Sequence, residues 1–221
     1  MSNTLLENAR NGDVESQFKL GQAYMFGEEG FSVNPSEAIP WLEKAGGTYP
    51  QALRMLIGIS LGYPDASTRS ADRLIKSFER MISEHNRIDA MVTLGAIFCG
   101  DPDNNEHIIK LPELAKPPYY NREKGYNMIF EGISQADKMD KNPLGFMEYE
   151  TAYTAIQFGI THSGRGSQYF HNSDIDTSDV LTIKTYCARM ALEMLKAGKG
   201  TSRYLPEQVK QLITMYEKIA G

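Results

Sequence analysis

Apolar residues recur every three or four positions along most of this chain. Ala71, Leu74, Ile75, Phe78, Met81 and Ile82 make one such stripe, and Tyr149, Ala152, Tyr153, Ile156 and Ile160 make another. Val180, Ile183, Cys187, Met190, Ala191 and Met194 follow the same rule, as do Val209, Leu212, Ile213, Tyr216 and Ile219. Such spacing gathers the apolar side chains on one face of a helix. No stretch keeps the period of two that a half-buried strand needs, and no hairpin dipeptide joins two β-branched runs. The pattern predicts an all-α chain forming a single domain over residues 1–221.

Polar punctuation sets the helix boundaries. In Asn34-Pro35-Ser36-Glu37, Asn34 can cap a helix, Pro35 suits its first position, and Glu37 sits three residues after the cap. Gly46-Gly47 is the expected stop. Tyr63-Pro64-Asp65 reads as a turn, and Leu205-Pro206-Glu207 opens the last helix. Pro40 falls inside the helix begun at Asn34, where it removes an i→i−4 hydrogen bond, so a kink is expected there. Two stretches, 100–121 and 163–177, lose the periodicity and are rich in Pro, Gly, Asn and Asp. Both read as loops longer than usual in a helical array, and long loops often carry function.

Composition narrows the picture without changing it. Of 221 residues, 41% are hydrophobic and 23% charged, which places the chain among globular proteins. The net charge of −5 argues against a nucleic-acid backbone as the main partner, because phosphate binding needs clustered Lys and Arg. No run is long and apolar enough for a membrane span, and the first fifteen residues, with Glu7, Arg10, Asp13 and Glu15, are not expected to act as a signal peptide. Cys99 and Cys187 are far apart and read as small buried residues in a reducing compartment. A cytoplasmic location is the expectation.

Residues 12–46 carry a more specific pattern. Leu20, Gly21, Tyr24, Gly27, Gly30, Ala38, Trp41, Lys44 and Ala45 occur in an order that resembles the Sel1-like repeat, a relative of the tetratricopeptide repeat. Ser16 stands where that family has its first Ala, and Gly46 where it has its last. Two residues are inserted between Gly27 and Asn34. In such a hairpin Gly21 lets the second helix approach closely, and Trp41 and Ala45 face back toward the first. Trp41→Ala is then expected to cost about 3–5 kcal/mol. Later copies fade. Ala52 and Leu56 with Ala71–Met81 make a second unit. Ala90, Leu94, Gly95, Phe98 and Gly100 with Lys124, Gly125, Met128 and Glu131 make a third. A fourth runs from Glu148 to Ile160 and from Ser178 to Lys196, and residues 206–219 form a closing helix. The resemblance implies a short α-solenoid of about four degenerate hairpins.

The search for chemistry gives little. His85, His107, His162 and His171 form no H-E-x-x-H and no i, i+4 pair. Ser163-Gly164-Arg165-Gly166-Ser167 matches neither phosphate-loop pattern, and Asp174, Asp176 and Ser178 lack the glycine and bidentate glutamate of a calcium loop. Paired carboxylates such as Glu28 with Glu29 and Glu148 with Glu150 read as solvated faces. No cofactor, metal or catalytic constellation is expected.

Aromatic residues in the two long loops are the candidate partner-binding set: Tyr119, Tyr120, Tyr169, Phe170 and His171. Replacing Tyr119 and Tyr120 with Ala is expected to spare the melt and weaken capture of a partner. Proteins similar to this repeat family act as adaptors, and compact members resemble immunity proteins that neutralise a bacterial toxin. The sequence therefore points to a protein–protein interaction module whose acidic surface suits a basic toxin or effector. The alternative is an enzyme or small-ligand binder with a pocket between helices, its signature being His162, His171 or Cys187 lining that pocket beside carboxylates.

Overall fold

The computed structural model describes residues 2–101, 105–162 and 177–220. All regular structure among them is helical: eleven α-helices and three short 3₁₀ turns. The chain divides into two compact units, Met1–Ala90 and Met91–Gly221.

The first unit stacks α1 (Ser2–Arg10), α2 (Val14–Phe26), α3 (Pro35–Ala45), α4 (Pro50–Ser60) and α5 (Ala71–His85), each packed on the next. Its helix ends are built from side chains. Asp13 caps α2 by accepting from the Ser16 amide at 2.9 Å, and Asn34 caps α3 by accepting from the Glu37 amide at 3.3 Å. The carbonyls at the end of α3 are taken up by α5, where Arg80 Nη1 donates to Glu43 at 3.0 Å and His85 Nε2 to Gly46 at 2.7 Å. The helix runs through Pro40, which lies on the exposed face with Ser36, where the carbonyl left without a donor can meet water.

Close packing centres on Gly21. A Cβ there would lie 2.6 Å from Leu42 Cδ2, so only glycine lets α3 come this near. The inward stripe of α3 is Ala38, Leu42 and Ala45, all fully buried. Trp41 sits one position outside this fully buried stripe, at intermediate exposure, with Lys44 Nζ 4.5 Å from its ring centroid. Leu42 is the fully buried residue at the seam, and its burial is worth roughly 2 kcal/mol of transfer free energy.

The helix α6 (Ile88–Cys99) starts at the boundary. The second unit continues with α7 (Glu106–Lys110), α8 (Arg122–Asp137), α9 (Phe146–His162), α10 (Thr177–Lys196) and α11 (Pro206–Ala220). Here α10 packs on both α9 and α11. α6 and α8 meet backbone to backbone: a Cβ on Gly95 would stand 2.7 Å from the Gly125 carbonyl oxygen, and one on Gly125 would stand 2.6 Å from that of Gly95. Cys99 fills the space beside Gly125. The core adds large aromatic rings to aliphatic residues such as Leu94, Ile97, Ile129 and Ile156, with Tyr126, Phe146, Tyr149 and Tyr216 fully buried. Tyr hydroxyls then need partners. Asn142 Nδ2 donates to Tyr149 Oη at 2.7 Å, and Tyr186 Oη donates to Asp137 Oδ1 at 2.6 Å.

The stretch 100–121 is not only loop. It holds α7 and the 3₁₀ turn Pro112–Ala115. Asn105 caps α7 through its side-chain oxygen, which accepts from the amides of His107 and Ile108 at 3.0 and 3.4 Å. Ile108, Leu111 and Leu114 are buried at a spacing of three. That tight period is masked in the sequence by the surrounding prolines. Residues 163–176 of the other expected loop lie outside the described residues.

Candidate functional site

Tyr119 and Tyr120 are half-buried, and the loop that carries them is tied down. Their amides both donate to the Lys116 carbonyl at 3.0 Å, and the next amide, Asn121, donates to Phe98 in α6 at 3.0 Å. The Tyr120 ring covers Gly100, where any Cβ would collide with it, and the Arg122 guanidinium lies 5.4 Å from the ring centroid. Tyr120 therefore does packing work, and its loss is expected to reach stability. Tyr169, Phe170 and His171 lie outside the described residues. So do the Ser163–Ser167 segment, Asp174, Asp176 and the side chains of His162 and Ser178.

The second unit contains a concave site of a different make. A cavity of about 290 Å³ opens between α6, α7 and α9 and is closed on one side by Tyr204, just ahead of α11. Ala96 and Ala155 form its apolar wall with Met147. Asp101, Asn105, His107 and Glu150 supply polar groups. Small residues on α6 and α9 leave the space, and the capped turn of α7 brings His107 to its edge.

Glu150 is the group around which the site is organised. Tyr204 Oη donates to its Oε2 at 2.9 Å. Burial pushes the carboxyl above the ordinary glutamate range, and the Tyr204 hydroxyl only partly offsets this. Behind it Tyr216 is fully buried, and its hydroxyl has no hydrogen-bond partner among the described residues. Burial raises that phenol strongly, and Glu150 is the charge that adds most to the effect. His107 moves the other way. Burial brings its imidazole down to about 4, against the pull of Glu106 and with the push of Lys110, so the ring is neutral at neutral pH.

The other sequence candidates are placed differently. Cys187 is buried and does not line the cavity, and burial pushes its thiol up to about 12. Cys99 is raised too, first by burial, and is a packing residue against Gly125. His85 ends a helix in the first unit. Among the described residues no group of three His, Cys, Asp or Glu side chains could hold a metal ion, and no helix is long and apolar enough to cross a membrane.

The sequence alone places Glu150 on a solvated face with Glu148. Glu148 instead closes the start of α9, where its Oε2 accepts from the Gly145 amide at 2.8 Å. Glu150 turns inward beside Met147, Thr151 and Thr154. The signal was present as a second stripe of intermediate polarity, flanking the apolar stripe of Tyr149, Ala152, Tyr153 and Ile156. Compared with models of known families, with curated proteins and with solved structures, the chain matches none.

Proposed function

We propose that this protein is a protein–protein interaction module built from helical hairpins of the Sel1-like kind, an adaptor or an immunity protein that covers a basic toxin or effector. The single observation that best supports the reading lies in the first unit. Three large apolar side chains stand exposed there: Phe26 at 49%, Val33 at 55% and Tyr63 at 62%. Phe26 and Val33 flank the turn between α2 and α3, and Tyr63 lies in the turn between α4 and α5. Helices that pack in sequence with short turns alternate in direction, so these two turns share one end of the stack. Isolated exposed apolar residues are ordinary, whereas several at one end of a hairpin stack suit a contact surface. The net charge of −5 would favour a basic partner and speed its approach. Tyr119 and the undescribed Tyr169, Phe170 and His171 remain candidates for the same contact.

Affinity capture with the wild type and with the triple variant Phe26→Asp, Val33→Asp, Tyr63→Asp tests the proposal. The variant should melt within about 0.5 kcal/mol of wild type, because the three side chains are exposed. A captured protein that disappears with the variant supports the reading. One that stays removes this end of the stack from the interface.

A further inference from the structure

The interaction reading leaves the cavity of the second unit without a task. We propose that it binds a small organic monocation, an ammonium group on a short apolar body, with Glu150 as the recognition group.

The cavity volume of about 290 Å³ falls at the small end of ligand pockets, which start near roughly 300 Å³. Its wall of Ala96, Ala155 and Met147 offers apolar contact, and methionine adapts its shape to what it touches. Most of its polar lining is already engaged. Asn105 spends its side-chain oxygen on the cap of α7, and the Thr154 hydroxyl donates to the Thr151 carbonyl at 3.0 Å. Glu150 differs. One oxygen accepts from Tyr204, and among the described residues no donor reaches the other. None of the described lining residues is Lys or Arg.

A half-buried carboxylate without a cation beside it bears a desolvation penalty. A ligand ammonium would relieve that penalty and form a charge-assisted hydrogen bond with the open oxygen. His107 does not compete for this role, because it is neutral. The sign of the ligand charge follows from these groups, and its size follows from the volume.

Calorimetric titration of the full chain with benzylammonium, benzyl alcohol and benzoate tests the proposal. The three probes share a ring and differ in charge. Benzylammonium should bind saturably, at least tenfold tighter than benzyl alcohol, and benzoate should not bind. Glu150→Gln keeps the shape and the Tyr204 hydrogen bond. It should weaken benzylammonium at least tenfold and leave benzyl alcohol unchanged, while its melting temperature stays at or above that of wild type. Binding of benzoate, equal binding of the cation and the alcohol, no binding of any probe, or a Glu150→Gln variant that melts normally and binds benzylammonium as before would each overturn the proposal. Failure here would leave the contact surface of the first unit untouched, since the triple variant reads that surface separately.

Discussion

The two units solve the same packing problem with different material. In the first, small residues bring helices together and aliphatic side chains fill the seam: Gly21 against Leu42, with Ala38 and Ala45 on either side. In the second, the Gly95–Gly125 contact does the same for α6 and α8, but the core there adds large aromatic rings, Tyr126, Phe146, Tyr149 and Tyr216, to its aliphatic residues. Aliphatic seams close without residue. Aromatic rings bring hydroxyls that must be matched, and the fit is coarser. Around Glu150 lie a cavity, a raised carboxyl and, in Tyr216, a buried hydroxyl with no partner among the described residues. Polar groups gathered beside such a core give a place where polar chemistry can sit.

The sharpest way to break the comparison is in the first unit. Leu42→Ala should cost about 4 kcal/mol, because the lost side chain leaves a cavity at a closed seam. The neighbouring Trp41→Ala should cost less than Leu42→Ala despite its greater size, since its ring keeps some exposure and Leu42 has none. Urea melts decide the order, and a larger loss at Trp41 would mean that the hairpin is rotated from the arrangement described. Next comes Gly95→Ala in the second unit. Backbone faces backbone there, so nothing flexible can yield, and a loss of about 3 kcal/mol is expected. Hydrogen exchange should show that loss at amides of α6 and α8 first.

The third prediction concerns acid. His107 is held down at about 4 against an ordinary value of 6.5. Its contribution to stability is therefore complete above pH 6.5 and disappears as pH falls through about 4. Between those limits the wild type should lose up to about 3 kcal/mol relative to His107→Gln, read by hydrogen exchange at amides of the second unit. Glu150 acts in the opposite sense over the same window, because protonation removes a poorly solvated charge, so comparison with the variant isolates the histidine. Parallel acid profiles for the two proteins would show that His107 is better solvated than its surroundings imply. The smallest effect is Tyr204→Phe, which removes the hydroxyl bonded to Glu150. A loss of about 1 kcal/mol is expected in the same melts.

Much of the fold could be read from periodicity and punctuation. Asn34, Pro206 and the stripes on α5, α9, α10 and α11 act locally, and each is found as a cap, a helix start or a helix. The pairing of residues 90–100 with 124–131 was also legible, because Gly95 and Gly125 mark where two helices can touch. Trp41 was not. A helical repeat tells which residues share a stripe, but which edge of the stripe faces the neighbour depends on the crossing of two helices, and Leu42 took the inward place. The cavity was less legible still. Glu150 looks from the sequence like any glutamate in a polar stripe, and only the arrival of Ala96, His107 and Tyr204 from three other segments makes it a site. No local rule encodes that convergence.

The division of labour between the units can be tested amide by amide. A titration of the uniformly ¹⁵N-labelled chain with benzylammonium, followed by two-dimensional NMR, reads both units at once. Saturable shifts confined to the cavity, at Ala96, Glu150, Thr151, Thr154 and Ala155, with residues 2–90 unmoved, are the expected result. Shifts concentrated in the first unit, or spread evenly over both, would contradict it.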